Sequence, residues 1–258
     1  MTLPKFDDVH IRLENHIGRV IFDRPPHNFF DAPLLENLKA AYQALEADPD
    51  CRVILLSSAG NVFCAGANFG TDGRGFNTEE AARIYAGALV LANARVPTVC
   101  AVQGAAMGGG FGVSLSADFR IAAPEARFHP NFARLGLHAG FGITATLPRI
   151  VGGQTAMRLL LTAERVGGEA AAAMGLADRL APREDLEQAA LAFAAEIASA
   201  APLAVQGMLA TLRAGKREAM EAAIARELEQ QGVNLASHDF REGVAAAAAR
   251  RPPVFTGT

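Results

Sequence analysis

Cysteine is scarce in this sequence. Cys51, Cys64 and Cys100 are an odd number among 258 residues, with no CxxC spacing. That pattern argues against a disulfide framework and for free thiols in a reducing cytoplasm. Metal-ligand motifs are lacking too. The six histidines are scattered, without HExxH or zinc-type spacing, so no metal is expected. No run of 18 uncharged apolar residues occurs, which argues against a membrane-spanning helix. Residues 1–10 carry no basic-then-apolar leader, and a cytoplasmic location is expected. Neither sign of charge dominates: the net charge is -3 and the isoelectric point near 6.1, so no nucleic-acid partner is expected. A G-x-G-x-x-G fingerprint is also missing. Residues 108–112 do not fit it, and no first strand-to-helix turn carries one, which argues against a Rossmann dehydrogenase.

What is present is an ordinary globular composition, half apolar and one-fifth charged, long enough to bury a substantial core. Residues 9–14, 19–23, 53–57, 98–102 and 119–122 read as strands. Residues 31–47 place Leu34, Leu35, Leu38, Ala41, Tyr42 and Leu45 at helical spacing behind Asp31 as N-cap. Residues 78–95 read as a second helix, started by Thr78 with Glu80. This alternation predicts an α/β fold with helices covering a sheet. After Glu184 the pattern changes. Residues 185–200, 202–214, 217–236 and 239–250 are alanine-rich and helical, with no strand between them. We expect a core of 1–184 and a C-terminal helical subdomain of 185–258.

Two small-residue loops stand about 40 residues apart. The first is Phe63-Cys64-Ala65-Gly66-Ala67-Asn68-Phe69. The second is Gln103-Gly104-Ala105-Ala106-Met107-Gly108-Gly109-Gly110-Phe111-Gly112. Each follows a strand-like run. Small residues let a backbone approach a partner closely, and the glycine run opens a stretch that can start a helix, whose first N–H groups are free. Two such loops can aim two backbone donors at one oxygen. The bland alternative is a glycine-rich helix entry used for packing alone.

With these loops stand Arg24-Pro25-Pro26-His27-Asn28, Ser116-Ala117-Asp118-Phe119-Arg120-Ile121-Ala122, Arg149-Ile150-Val151-Gly152 and the tail 250–257. Together they resemble the crotonase (enoyl-CoA hydratase/isomerase) superfamily over nearly the whole chain. The resemblance implies a crotonase (ClpP-like) spiral of ββα units, a C-terminal helical part that serves oligomerisation, and homotrimers or dimers of trimers. It implies acyl-CoA thioester substrates with no separate cofactor, coenzyme A being part of the substrate. It further implies that the N–H groups of Ala67 and Gly109 form an oxyanion hole. The substrate-lining set that it suggests is His27, Asn68, Phe69, Gly70, Tyr85, Gly112, His129, Asn131, Phe132 and Gly140.

The acids of the family are missing. The two hydratase glutamate positions fall on Gly112 and Phe132, and the aspartate position of some isomerases on Gly140. Gly112 with Phe132 resembles the aryl pocket of 4-chlorobenzoyl-CoA dehalogenase, whose nucleophile would fall at Gly140 and whose pocket histidine near Tyr85. His138 is the candidate relocated general base; the alternative is a loop histidine bonded to backbone. His129 and Asn131 either touch the acyl end or hold their loop in shape. Tyr85 either points its hydroxyl at the acyl group or packs in the core. Cys64 reads as packing. Arg74, in the loop 70–77, and Arg250 and Arg251 are candidates for coenzyme A phosphates or ordinary surface charges. The expected function is acyl-CoA thioester chemistry with altered acid–base groups: hydration, isomerisation or a related enolate reaction. The alternatives are a thioester-binding homologue with little catalysis, or an aryl-CoA hydrolase or dehalogenase-like enzyme.

Overall fold

The computed structural model describes residues 3–69 and 76–258. The chain opens with an antiparallel hairpin, β1 (Val9–Glu14) and β2 (Ile17–Phe22), followed by α1 (Ala32–Glu46). Asp31 caps α1 by accepting the Leu34 N–H, as its position predicts. Then come β3 (Val53–Ser58), α2 (Thr78–Ala92), β4 (Thr98–Val102), β5 (Ala105–Met107), α3 (Gly109–Ser116), β6 (Phe119–Ala122) and β7 (Arg127–His129). The cap of α2 is Asn77, not Thr78: its side chain accepts the Glu80 N–H. A 3-10 turn (Asn131–Leu135) leads to α4 (Ile143–Val151), α5 (Gly153–Thr162), β8 (Val166–Gly167), α6 (Gly168–Ala173) and β9 (Arg179–Leu180). Four helices finish the chain: α7 (Leu186–Ala198), α8 (Pro202–Leu212), α9 (Lys216–Ala236) and α10 (His238–Ala248).

The main sheet runs β1-β2-β3-β4-β6-β9, parallel from β2 onward. Its central strands are apolar on both faces because both are covered. Ile54, Leu56, Cys100 and Val102 join the larger core, with α1 and α2. Their neighbours Val53, Leu55, Val99 and Ala101 face the other way. There α7 packs through Leu186, Ala190, Ala194 and Ala198, one residue per turn. The first of the C-terminal helices thus belongs to the sheet it covers.

A smaller sheet, β5-β7-β8, forms the second layer. Single bridges extend it: Cys64 pairs with Ala106, and Ala67 with Phe30. The second small-residue loop thus carries β5 and the first sits against it by isolated bridges, each reached after a main-sheet strand as in the ββα spiral. The close approach explains the glycines. A Cβ on Gly110 would stand 2.7 Å from the Cys64 carbonyl carbon. At Gly66, φ is +88° and a Cβ would meet the Met107 oxygen at 2.7 Å.

Candidate active site

The loops meet through their backbones. The Cys64 amide donates to Ala105 O at 2.9 Å, and the Met107 amide to Cys64 O at 2.9 Å. The Phe30 amide donates to Gly66 O, and the Gly108 amide to His129 O. Asn28 holds the first loop from behind, donating from Nδ2 to Ala59 O and Val62 O while accepting the Arg24 N–H. Neither the Ala67 nor the Gly109 amide is among these loop-to-loop donors of the described residues. The two segments are close: a Cβ on Gly66 would lie 3.4 Å from the Gly109 nitrogen. Gly109 is also the first residue of α3, so its N–H has no intrahelical partner.

In front of this pair lies a cavity of about 220 Å³. Its wall is mostly aromatic and aliphatic, including Phe30, Phe69, Phe132, Phe141, Leu137 and Val244. Ala67, Asn68, Gly109, Asn131 and Gly140 also line it, with Tyr85 and Gln231. No Asp, Glu, His, Lys or Arg does so among the described residues. Nor do those residues include a cluster of three possible metal ligands. Among the described residues no single helix is long and apolar enough to cross a membrane.

At the positions where the resemblance expects acids, other groups take the space. A Cβ on Gly112 would stand 2.8 Å from three atoms of the Phe141 side chain. Gly112 therefore makes room for a phenylalanine of the protein and not for a substrate ring, as the aryl-pocket comparison suggested. A Cβ on Gly140 would fall inside the Tyr85 hydroxyl and 2.6 Å from Gln231 Nε2. Phe132 lines the cavity as expected, beside Gly108.

Helix α9 shapes this region through three side chains at helical spacing, Glu227, Gln231 and Asn234. Glu227 accepts the Gly142 amide at 2.7 Å, the Thr144 amide at 3.0 Å and the Thr144 hydroxyl at 2.6 Å. Gln231 donates to His138 O at 2.9 Å and accepts the Tyr85 hydroxyl at 2.8 Å. Asn234 accepts the His138 amide at 2.7 Å. Burial pushes the Glu227 pKa above the ordinary glutamate value of 4.5, against the hydrogen bonds from Thr144 and Gly142, which lower it. A raised folded pKa contributes stability that is complete below the unfolded value and is lost as pH rises through the folded one. Glu227→Gln removes this titration. Relative to the unaltered chain, the variant should gain stability as pH climbs from about 4.5 toward neutrality. Denaturant midpoints across that window test this, and a pH-independent difference would refute it.

A model of the enoyl-CoA hydratase/isomerase family matches residues 12–258. The chain belongs to the enoyl-CoA hydratase/isomerase family. The "Probable enoyl-CoA hydratase" of Rhodobacter capsulatus is 36% identical over 257 residues, covering 98% of this chain and 99% of that protein. The (E)-benzylidenesuccinyl-CoA hydratase of Thauera aromatica is 32% identical, covering 96% and 99%. A crystal structure of an enoyl-CoA hydratase from Mycobacterium avium subsp. paratuberculosis K-10 superposes with a TM-score of 0.85 at 28% identity, over 98% of this chain and 100% of that one. The crotonase fold expected from the motifs is thus the observed one.

Measured against that family, several side chains singled out in the sequence stand away from the cavity. His138 is half-buried, does not line it, and bonds through Nδ1 to Ala139 O at 2.7 Å. The grip of Gln231 and Asn234 on its backbone turns the residue into a loop anchor. His129 places Nε2 3.0 Å from Ala163 O, and burial followed by Arg165 lowers its pKa. Its backbone carbonyl is what reaches the site, through Gly108. The His27 ring is exposed against Phe29, while the His27 carbonyl accepts the Ala65 amide. Cys64 is buried and its thiol is pushed up to about 12, so packing is its role. Arg251 is held by both oxygens of Glu242, and the tail is pinned to α10, which leaves Arg251 no free fork for a phosphate. Gly70 and Arg74 lie outside the described residues. The residues that sequence reasoning passed over are Phe141 and Gln231. The only signal for Gln231 was polar residues recurring on one face of α9.

Proposed function

We propose that this protein processes acyl-CoA thioesters, binding the thioester oxygen between the N–H groups of Ala67 and Gly109. The observation that carries the reading is that both residues line one apolar cavity, with their amides outside the hydrogen bonds that join the loops. A thioester oxygen gains negative charge as an enolate or a tetrahedral intermediate forms. Donors aimed in advance bind that charge better than the neutral ground state, which lowers the barrier. The aromatic wall suits an apolar acyl group. The Thauera relative, whose name specifies a benzylidene-bearing thioester, supports an aryl one. Helix α8 buries none of its residues and exposes Leu203, Met208 and Leu212, which a homotrimer or dimer of trimers would cover. Of the C-terminal helices the reading assigns α8 to oligomerisation, since α7 covers the sheet and α9 and α10 line the cavity, and it keeps the cytoplasm as the location.

The test compares a saturated acyl-CoA with its thioether analogue, which lacks only the carbonyl oxygen. The thioester should bind roughly tenfold or more tightly, as two hydrogen bonds of about 1 kcal/mol each imply. Equal binding of the two would remove the oxyanion assignment.

A further inference from the structure

We propose that the acyl end of the cavity is built for an apolar acyl group carrying one hydroxyl at its end remote from the thioester. This rests on the thioester reading above and names its substrate class.

The argument starts from a carbonyl. His138 O can only accept, so Gln231 must turn Nε2 toward it, at 2.9 Å. That orientation leaves Gln231 Oε1 facing the Tyr85 hydroxyl, at 2.8 Å. An amide oxygen only accepts, so Tyr85 commits its single proton to Gln231. Tyr85 therefore has no proton to offer the cavity that it lines. Its oxygen retains two lone pairs. A hydroxyl oxygen that has given its proton away can still accept a hydrogen bond. Burial, then the charge of Glu227, raises the phenol pKa well above its ordinary value, so the oxygen stays neutral. Such a group is a hydrogen-bond acceptor and not a general base. The matching ligand group is a donor, and a neutral one, because no acidic side chain among the described residues lines the cavity to pair with a cation.

Placement follows from the aromatic wall. A Cβ on Gly109 would run into the Phe30 ring. Phe30 stands 5.7 Å from Phe141, and Phe141 stands 6.3 Å from Tyr85, centroid to centroid. The acceptor thus lies at the far end of a two-ring apolar wall that begins at the proposed oxyanion site. The cavity of about 220 Å³ exceeds the roughly 150 Å³ that admits benzene in an engineered apolar cavity.

The experiment uses two unreactive thioesters, 3-(4-hydroxyphenyl)propanoyl-CoA and 3-phenylpropanoyl-CoA, titrated calorimetrically into the full-length protein. The hydroxyl compound should bind about tenfold more tightly. Tyr85→Phe should abolish that preference while keeping the affinity for the phenyl compound, which also shows that the variant is folded. Gln231→Leu frees the Tyr85 proton to point into the cavity. It should shift preference toward the 4-methoxyphenyl compound, an acceptor, whereas a merely structural glutamine would weaken all three alike. Equal binding of the first two thioesters by the unaltered protein overturns the hydroxyl proposal and leaves the thioester site standing. A preference that survives Tyr85→Phe overturns it as well. Binding of neither compound overturns both.

Discussion

Crotonyl-CoA should be hydrated by this protein at least about 10⁴-fold more slowly than the roughly 10 per second typical of enzymes. Adding water across an enoyl double bond needs a base for the water and an acid for the α-carbon. Each positioned group is worth about 10²–10⁴-fold. The lower end of that range, taken twice, gives the figure. Here the three positions where the resemblance expects a carboxylate hold Gly112, Phe132 and Gly140. No titratable side chain among the described residues lines the cavity except Tyr85, whose proton is committed to Gln231. The nearest histidine in sequence to the acid loop, His138, bonds to Ala139 O instead. The measurement is the decay of enoyl-thioester absorbance, with butyryl-CoA binding followed in parallel to show that the site is intact. Turnover near 10 per second would mean that a group outside this cavity wall supplies both protons, and would refute the expectation.

Restoring an acid by substitution at Gly140 should destabilise the protein strongly. Gly140→Asp is expected to cost about 4 kcal/mol or more, out of the roughly 5–15 kcal/mol that holds a native chain together. Two mechanisms add. The new Cβ would overlap the Tyr85 hydroxyl and crowd Gln231 Nε2 at 2.6 Å, and such overpacking typically costs about 1–3 kcal/mol. The carboxylate would also enter an apolar wall without a cation to pair with, a penalty of several kcal/mol more. For a chain of this length the melting temperature should fall by about 10 °C or more. Gly140→Ala separates the terms, because it carries the overlap without the charge and should cost only the first part. Combining Gly140→Ala with Tyr85→Phe removes the overlapping oxygen and should recover some of that loss, which a double-mutant cycle measures. If Gly140→Asp melts like the unaltered protein, the Tyr85–Gln231 pair does not occupy the acid position as the structure shows.

Much of the fold was legible along the chain because its signals are local. The alternating run at 9–14, the apolar run at 53–57 and the leucine spacing of 31–47 lie within one element each, and they became β1, β3 and α1. The four alanine-rich segments became α7 to α10 within a few residues. Short elements such as β5, β7, β8 and β9 were not legible, since two or three residues carry no period. The Asn77 cap was missed because Thr78, one residue on, is also a capping type.

The site divides in the same way. The sequence by itself determined the family, the two small-residue loops and the absence of acids at Gly112, Phe132 and Gly140, because each is a matter of residue type at a position. Only the tertiary structure decided what fills those positions. Phe141 takes the space beside Gly112 through a turn of the chain, and Gln231 reaches Tyr85 across 146 residues. It likewise turned His138 and His129 away from the cavity, because their ring nitrogens found backbone carbonyls nearby. Which atoms share a cavity depends on packing between distant segments, and no local pattern records it.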